Sequence, residues 1–302
     1  MALKCGKAKE VTTIMDESVS LFTMTPMSQR FRLEPGQTYT GKVKVINPTD
    51  STQDLSYKAY VAPYGVSGEA YEDDLSKETS YNQIKDWIKI ENPSGTLKPN
   101  DTKEISFSIN VPENAPAGGQ YAAIVVRRDD AGGEAKEGVA VKDVFEMASI
   151  VYAEVNGETK HEGEILENNV SGFVTNAPIT LSAKLSNMGN VHENATIVIK
   201  ATDFFTGNVI VDGNAEEEYY SEIVLPETTR LVVRDINEGL PLLGIVRVEQ
   251  TINYNGQTST ESKNVIICPV WFLLLVIATL GAIVATVVHI VRKHRKKVQL
   301  EE

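Results

Sequence analysis

The sequence predicts an all-β protein made of two tandem immunoglobulin-like β-sandwiches followed by one C-terminal transmembrane helix. Short segments of alternating apolar and polar residues, separated by turns, run through residues 19–265. No amphipathic helical pattern of comparable strength accompanies them, and many short strands at this spacing are typical of sandwiches. A long uncharged apolar stretch follows at residues 266–291, and its length predicts a membrane-spanning helix.

Three segments of the first half show the alternation most clearly. Residues 38–46, 53–61 and 102–111 each place apolar side chains at every second position. In the last of these, Ile105 and Phe107 lie on one predicted face and the intervening positions are polar. Because successive side chains of a strand point to opposite faces, this period of two predicts strands with one buried face.

The second half shows the same alternation, in residues 179–185 and 246–254 among others. Asn255-Gly256 is the two-residue signal of a type I′ hairpin turn. Residues 258–267 are therefore predicted to return antiparallel to the strand before the turn, and they lead directly into the apolar stretch.

The two halves share a plan that predicts two related domains. In each half an Asn-containing turn closes an alternating strand, at Asn47 and at Asn187. In each half a Leu-Pro or Leu-x-Pro sequence approaches a later strand, at Leu97 and at Leu225. Diverged copies of one sandwich, with changes in loop length, would have this arrangement.

These patterns divide the chain into five predicted segments. Residues 1–18 show no periodicity and are predicted to be disordered or the remnant of a truncated start. The sandwiches are predicted at 19–157 and 158–265, the transmembrane helix at 266–291 and a basic cytoplasmic tail at 292–302.

The apolar stretch has the length and the flanks of a membrane anchor. As a helix its 26 residues would reach about 39 Å, against roughly 30 Å for a hydrocarbon core. Trp271 lies near its start, where an indole favours the headgroup level. A buried core helix is the alternative, but such helices rarely lack polar residues on every side. Basic residues follow its end: Arg292, Lys293, Arg295, Lys296 and Lys297.

This basic cluster also predicts the orientation. Positive residues beside a span stay in the cytoplasm, so the body is expected outside the cell membrane and the tail inside. The cluster also suits an anionic inner leaflet, with membrane lipid as a partner. A tail-anchored protein with a cytosolic body is the alternative, because residues 1–17 contain no apolar signal-peptide region. We expect that the start is truncated.

Charge and cysteine content exclude several classes of function. The net charge is −12, and the tail contributes +3, which leaves −15 for the rest of the chain. Nucleic acid is not expected as a partner, because phosphate binding needs neutralisation by Lys and Arg. Two cysteines, Cys5 and Cys268, give no disulfide framework, so core packing alone must hold the predicted domains together.

The sequence contains no motif of a known catalytic centre and predicts no catalytic residue, cofactor or metal. It has no nucleophile elbow, no P-loop and no zincin motif. The acidic run 72–74 lacks the spacing of a dedicated calcium loop. Tyr60, Tyr64 and Tyr71 are candidate ligand contacts, because aromatic faces can stack on sugar rings. Packing within the core or a loop is the alternative role for all three.

Four segments of the first half, residues 31–37, 43–50, 57–68 and 111–121, share a pattern of strands and Pro- and Gly-containing turns. In these segments the chain resembles the WxL-interacting proteins of Gram-positive cell surfaces. It implies two immunoglobulin-like domains, a C-terminal anchor, peptidoglycan binding by the first domain and binding of host or partner proteins by the second. The second half resembles a generic bacterial surface immunoglobulin-like domain.

Together these observations predict a non-catalytic binding or adhesion protein of a bacterial cell surface. Its expected partners are membrane lipid, peptidoglycan and another cell-surface protein. The alternative is a membrane-tethered envelope enzyme or assembly factor, and a cleft with converging titratable groups would favour it.

Overall fold

The computed structural model describes residues 22–49, 51, 53–129, 145–213 and 220–298, with the backbone alone for Tyr220 and residues 293–298. The expectation for residues 1–18 lies outside these ranges. The described residues form β-sheets, one α-helix and one 3₁₀ turn, which confirms the predicted fold class.

The chain forms two compact units. Among the described residues, the first unit holds 22–65, 75–116 and 120–155, and the second holds the rest. The segments 66–74 and 117–119 come from the first half of the chain but are part of the second unit. The domain boundaries proposed from the sequence therefore stay predictions.

Strands of the first half build two sheets that enclose a core. One sheet has four strands in the order β1-β3-β9-β7, and the other has five in the order β2-β11-β10-β4-β8. β2 runs parallel to β11, while β5 and β6 pair only with each other. The strands are β1 (Thr23–Thr25), β2 (Ser28–Leu33), β3 (Thr38–Ile46), β4 (Leu55–Pro63), β5 (Gly65–Ser67), β6 (Glu72–Asp74), β7 (Ile88–Ile90), β8 (Ser94–Leu97), β9 (Thr102–Asn110), β10 (Gly118–Arg128) and β11 (Glu146–Val155), with a 3₁₀ turn at Gln83–Asp86.

The core of the first unit follows the alternation of the sequence. Val43, Phe107 and Ile124 come from three different strands and are almost fully buried in it. β3 can approach Phe107 closely because it has a glycine there: a Cβ on Gly41 would lie 2.2 Å from the ring. Removal of this apolar surface from water stabilises the unit without a disulfide.

The second unit repeats this architecture. Three strands form a sheet in the order β12-β14-β18, and a larger sheet has the order β13-β20-β19-β15-β16, with β17 also pairing with β15. β13 runs parallel to β20, as β2 does to β11 in the first unit. The strands are β12 (Gly163–Val170), β13 (Phe173–Val174), β14 (Ile179–Asn187), β15 (Glu193–Asp203), β16 (Val209–Asp212), β17 (Tyr220–Val224), β18 (Thr228–Ile236), β19 (Gly244–Tyr254) and β20 (Gln257–Ile267).

The predicted hairpin between β19 and β20 has the expected geometry. Asn255 and Gly256 have φ values of 45° and 72°, as a type I′ turn requires at both central residues. The two strands pair in register from Tyr254 opposite Gln257 to Gly244 opposite Ile267. This long ladder carries the end of β20 to one end of the sandwich.

A single α-helix, α1 (Val270–Val298), follows β20. It begins four residues later than the predicted span, because Ile266 and Ile267 pair with β19. Pro269 has no N–H to continue the ladder, and its carbonyl accepts the first helical hydrogen bonds instead. The segment Val270–Arg292 is long and apolar enough to cross a membrane, and none of it is buried within the chain.

Candidate functional site

The outer surface of the four-stranded sheet is one candidate site, which we call the polar face. It consists of the polar side chains in residues 38–44, 88–90 and 104–110 that point away from the core. These are Thr38, Thr40, Lys42, Lys44, Lys89, Glu104, Ser106, Ser108 and Asn110.

Pairs across β3 and β9 organise the polar face. Thr38 Oγ1 donates to Asn110 Oδ1 at 3.1 Å, and Lys42 Nζ lies 3.2 Å from Glu104 Oε2. Thr40 stands opposite Ser108 in the same ladder. These residues are exposed or half-buried, so hydroxyl, amide and ammonium groups form an open hydrogen-bonding surface.

The polar face is locally positive in an acidic protein. It carries three lysines, Lys42, Lys44 and Lys89, against one carboxylate, Glu104, while the whole chain carries −12. Such a surface can donate to sugar hydroxyls and to the carboxylates of short peptides. The alternation in the sequence predicts that these outward positions are polar. Composition alone does not predict that they form a binding site.

The outer surface of the five-stranded sheet is a second candidate, which we call the tyrosine face. It contains Tyr60 on β4, Tyr64 directly after the end of β4, Tyr121 on β10 and Tyr152 on β11. Ring centroids lie 6.0 Å apart for Tyr64–Tyr152 and 5.9 Å apart for Tyr121–Tyr152, both edge to face. Tyr121 is 1% exposed, Tyr64 7% and Tyr152 9%, so these rings pack mainly against protein.

Tyr60 is the most accessible member of the tyrosine face. It is half-buried, and its hydroxyl donates to Glu146 Oε1 at 3.0 Å. Burial and the neighbouring Glu146 carboxylate raise the pKa of the Tyr60 hydroxyl, so it stays protonated and able to donate. Of the three tyrosines singled out from the sequence, Tyr64 is buried, whereas Tyr60 and Tyr71 are half-buried, and the ligand contact stays a prediction for each.

Tyr71 lies in the second unit and is occupied by contacts there. The Leu225 N–H donates to its hydroxyl at 2.6 Å, and Thr228 Oγ1 is also hydrogen-bonded to it. The Arg230 guanidinium covers its ring at 4.6 Å from the centroid. The sequence pattern does not predict these contacts, because they join positions more than 150 residues apart.

Two of the residues predicted to hold the anchor in the membrane, Trp271 and Arg292, have described side chains, and both are exposed. Trp271 is 60% exposed and Arg292 is also exposed at the far end of the apolar segment. Lys293, Arg295, Lys296 and Lys297 follow in the helix, and their side chains lie outside the described part of the structure.

Within the described ranges, no group of three or more His, Cys, Asp or Glu side chains is arranged to hold a metal ion. In the acidic run, Asp74 Oδ2 accepts a hydrogen bond from Ser67 Oγ at 2.8 Å, a contact between β5 and β6. His161 Nδ1 lies 2.7 Å from Glu193 Oε1, an isolated surface pair.

Comparison with known families bears on the first half of the chain. Residues 28–128 match the family model described as WxL Interacting Protein, peptidoglycan binding domain. This segment is similar to that domain family. The match confirms the resemblance inferred from the sequence, and it includes every strand of the polar face. A comparison with the curated proteins finds no match.

Solved structures similar to this chain include several chaperones. The E. coli chaperone DraB is 12% identical, with 82% of this chain and 98% of DraB covered and a TM-score of 0.37. A chain of the Salmonella enterica SafA pilin–SafB chaperone complex is 11% identical, with 83% and 98% covered and a TM-score of 0.38. The PapD-like domain 7 of human CEP192 is 13% identical, with 52% and 99% covered and a TM-score of 0.31. At TM-scores below 0.5 these similarities carry no argument about function.

Proposed function

We propose that this protein is a non-catalytic binding protein of the cell surface, that its first unit binds peptidoglycan, and that α1 anchors it in the membrane. The family match of residues 28–128 carries the proposal. It needs no cofactor, because binding of sugars and peptides requires only hydrogen-bonding and packing groups. A second partner, another cell-surface protein, is assigned to the second unit on the resemblance alone.

We assign peptidoglycan binding to the polar face. All of its residues lie within the matched segment and are exposed or half-buried, whereas three of the four rings of the tyrosine face are at most 9% exposed. Hydroxyl and amide groups suit glycan hydroxyls, and Lys42, Lys44 and Lys89 suit stem-peptide carboxylates. Tyr60 is kept as the candidate for an alternative site on the tyrosine face.

The charge of the body limits how it can bind a wall. At −15, the residues before the tail repel anionic wall polymers, and physiological salt screens such repulsion beyond about 8–10 Å. Binding therefore rests on close contacts with the locally positive polar face, with neutral sugars and with peptide groups. Attraction over long distances does not contribute.

Co-sedimentation of the full chain in detergent micelles with purified peptidoglycan tests the proposal. We expect binding to peptidoglycan without teichoic acid at low and at moderate salt. With teichoic acid present, binding should be weaker at low salt and recover as salt screens the repulsion. Absence of binding to every wall preparation would leave a protein ligand as the better assignment for the first unit.

Protease treatment of intact cells tests the proposed orientation. Arg292 and the basic residues after it flank the apolar segment on one side only, so the body should be outside and the tail inside. Added protease should then remove the body and spare an epitope placed after Glu302. Protection of the body in intact cells, with digestion after permeabilisation, would support the tail-anchored alternative.

A further inference from the structure

The second unit joins α1 through a very short link. β20 ends at Ile267 and α1 begins at Val270, so only two residues separate the sandwich from the helix. The three Cα–Cα steps from Ile267 to Val270 span at most about 11 Å even when extended. The Cys268 N–H also donates to the Val174 carbonyl at 2.9 Å, which ties the link to β13. A bilayer crossed by α1 must therefore lie directly against this end of the sandwich.

Two connections lie at the same end as the start of α1. The loop 237–243 runs directly into Gly244, which stands opposite Ile267 in the β19–β20 ladder. The connection after β13 lies there too, because Val174 at the end of β13 stands opposite Ile267 and Phe173 opposite Ile266. Both connections are therefore within a residue or two of the level at which the chain leaves the sandwich.

The hairpin 204–208 lies at this end as well. Asp203, the last residue of β15, stands opposite Val246 near the start of β19. The Phe204 N–H then donates to the Ile245 carbonyl at 2.9 Å, and the hairpin extends beyond that point. The sheet thus places three separate connections around the base of α1.

These connections present large apolar side chains to the surroundings. Leu242 is 86% exposed, Phe205 73% and Phe173 52%, and Trp271 at the base of α1 is 60% exposed. Single exposed apolar residues are ordinary, but a group of them at one end of a domain marks an interaction surface. We call Leu242, Phe205 and Phe173 the apolar tips.

The hairpin is built to hold its phenylalanines outward. Asp203 Oδ1 accepts hydrogen bonds from the N–H groups of Phe205 at 3.0 Å and Thr206 at 2.7 Å. These hydrogen bonds lower the pKa of Asp203, and the bond from the Thr206 N–H has the largest effect. The charged carboxylate is therefore hydrogen-bonded within the turn. Phe204 and Phe205 pack edge to face at 5.4 Å.

A cation and a cavity accompany the apolar tips. The Arg247 guanidinium lies 5.7 Å from the centre of the Phe204 ring. Arg247 is two residues further along β19 from the end of the sandwich than Ile245, whose carbonyl accepts from the Phe204 N–H. A cavity of about 460 Å³ opens between the loop 237–243 and the base of α1, with Leu242 and Trp271 in its lining. Apolar tips with a guanidinium above them match the order of acyl chains and phosphates in a lipid surface.

We propose that this end of the second unit docks on the bilayer that α1 crosses, with the apolar tips in the lipid interface and Arg247 at the level of the phosphates. The inference rests on the proposed anchor and adds a second contact with the same membrane. Because β20 continues into α1 after two residues, the bilayer that α1 crosses is the surface next to the apolar tips, and we assign it as their partner. Glu238 in the loop 237–243 is also exposed. Because a carboxylate is costly in hydrocarbon, this end of the unit can enter the headgroup interface but not the bilayer core.

Tryptophan fluorescence of the full chain in nanodiscs tests the docking. Leu242→Trp and Phe205→Trp, each in a Trp271→Phe parent, place a probe on an exposed tip, and the parent itself gives the background from Trp87. Met188→Trp is the matched control: Met188 is also an exposed apolar residue, but it follows the far end of β14, roughly 27 Å from its start. Lipids brominated on their acyl chains serve as quenchers.

We expect both tip probes to emit at shorter wavelength and to lose most of their fluorescence with brominated lipids, while the Met188→Trp probe is unaffected. In the unsubstituted chain, quenching of Trp271 reports insertion of α1 separately. Quenched Trp271 with unquenched tip probes would overturn the docking and leave the anchor standing. Unquenched Trp271 would overturn the anchor, and the docking with it.

Discussion

Replacing Asn187 with leucine should lower the free energy of unfolding by about 2–4 kcal/mol, since buried carbonyls that lose their donors cost about 1–3 kcal/mol each. Asn187 is 1% exposed, and its Nδ2 donates to the carbonyls of Val191 at 2.8 Å and Val224 at 2.9 Å. Its Oδ1 accepts from the Gly189 N–H at 2.8 Å. Leucine has the same branched skeleton of heavy atoms but can neither donate nor accept, so all three hydrogen bonds are lost.

Asn47 occupies the equivalent place in the first unit, so Asn47→Leu should have a similar effect. It is 2% exposed, and its Nδ2 donates to the carbonyls of Gln53 at 3.0 Å and Leu97 at 3.1 Å. Leu97 ends β8 and Val224 ends β17, two strands that pair in the same way in their sheets. One asparagine thus fastens the same corner of each sandwich.

Thermal unfolding followed by circular dichroism measures both variants. A loss of this size should lower the transition of the affected unit by roughly 10–20 °C. The control is Asn253→Leu, an exposed position on β19 where substitution should change the stability by less than about 0.5 kcal/mol. Equal effects of the control and the two buried variants would refute this role of the asparagines.

The repeated plan of the two halves was predictable because it rests on these corners. Asn47 and Asn187 both follow an alternating strand in the sequence. In the structure each donates to two backbone carbonyls, one in the loop that follows it and one at the end of a later strand. The turns before β9 and β18 are also alike, because Asn100 in the first and Glu227 in the second have a positive φ. Glutamate rarely adopts that conformation, so the second of these turns could not be inferred locally.

Strands with a buried face were predicted well, whereas the edge strand β12 was not. β3 has the predicted bounds, and β9 differs from its prediction by one residue. β12 was missed: it lies at a sheet edge, contains a register shift after Ile165, and has mostly exposed or half-buried side chains. An edge strand needs no strict alternation, because less of it is covered.

The candidate site was less predictable than the fold for a physical reason. Periodicity shows which side chains share a face of a strand, and it correctly placed Tyr60 opposite the core side of β4. It does not show whether that face is open, and Tyr64 on the same face is 7% exposed. The groups that cover the ring of Tyr71 and bond its hydroxyl come from distant parts of the chain, Arg230 and Leu225.

The proposed binding face leads to the second large expected effect. Lys42→Glu combined with Lys44→Glu should reduce the affinity for peptidoglycan by about tenfold or more, since a charge-assisted hydrogen bond contributes about 1.5–3 kcal/mol. Both lysines are exposed, so the sandwich should fold normally. The reversal also brings a carboxylate close to Glu104, which now pairs with Lys42.

A matched pair separates contact from general repulsion. Lys58→Glu with Lys98→Glu changes the net charge equally, at exposed positions of the first unit that are not on the polar face. Co-sedimentation with peptidoglycan free of teichoic acid should show little change for this pair, because salt screens charges beyond about 8–10 Å. Equal losses for both pairs would point to repulsion by the whole body instead of a site.

Tyr60→Ala decides between the two faces of the first unit. If the polar face is the site, this variant should bind peptidoglycan as the unsubstituted protein does, because Tyr60 lies on the opposite sheet and bonds Glu146. A strong loss with Tyr60→Ala, together with normal binding by the Lys42 and Lys44 double variant, would move the site to the tyrosine face. Losses at both faces would require a glycan long enough to reach around the edge of the sandwich, and shorter fragments would then distinguish the two contacts.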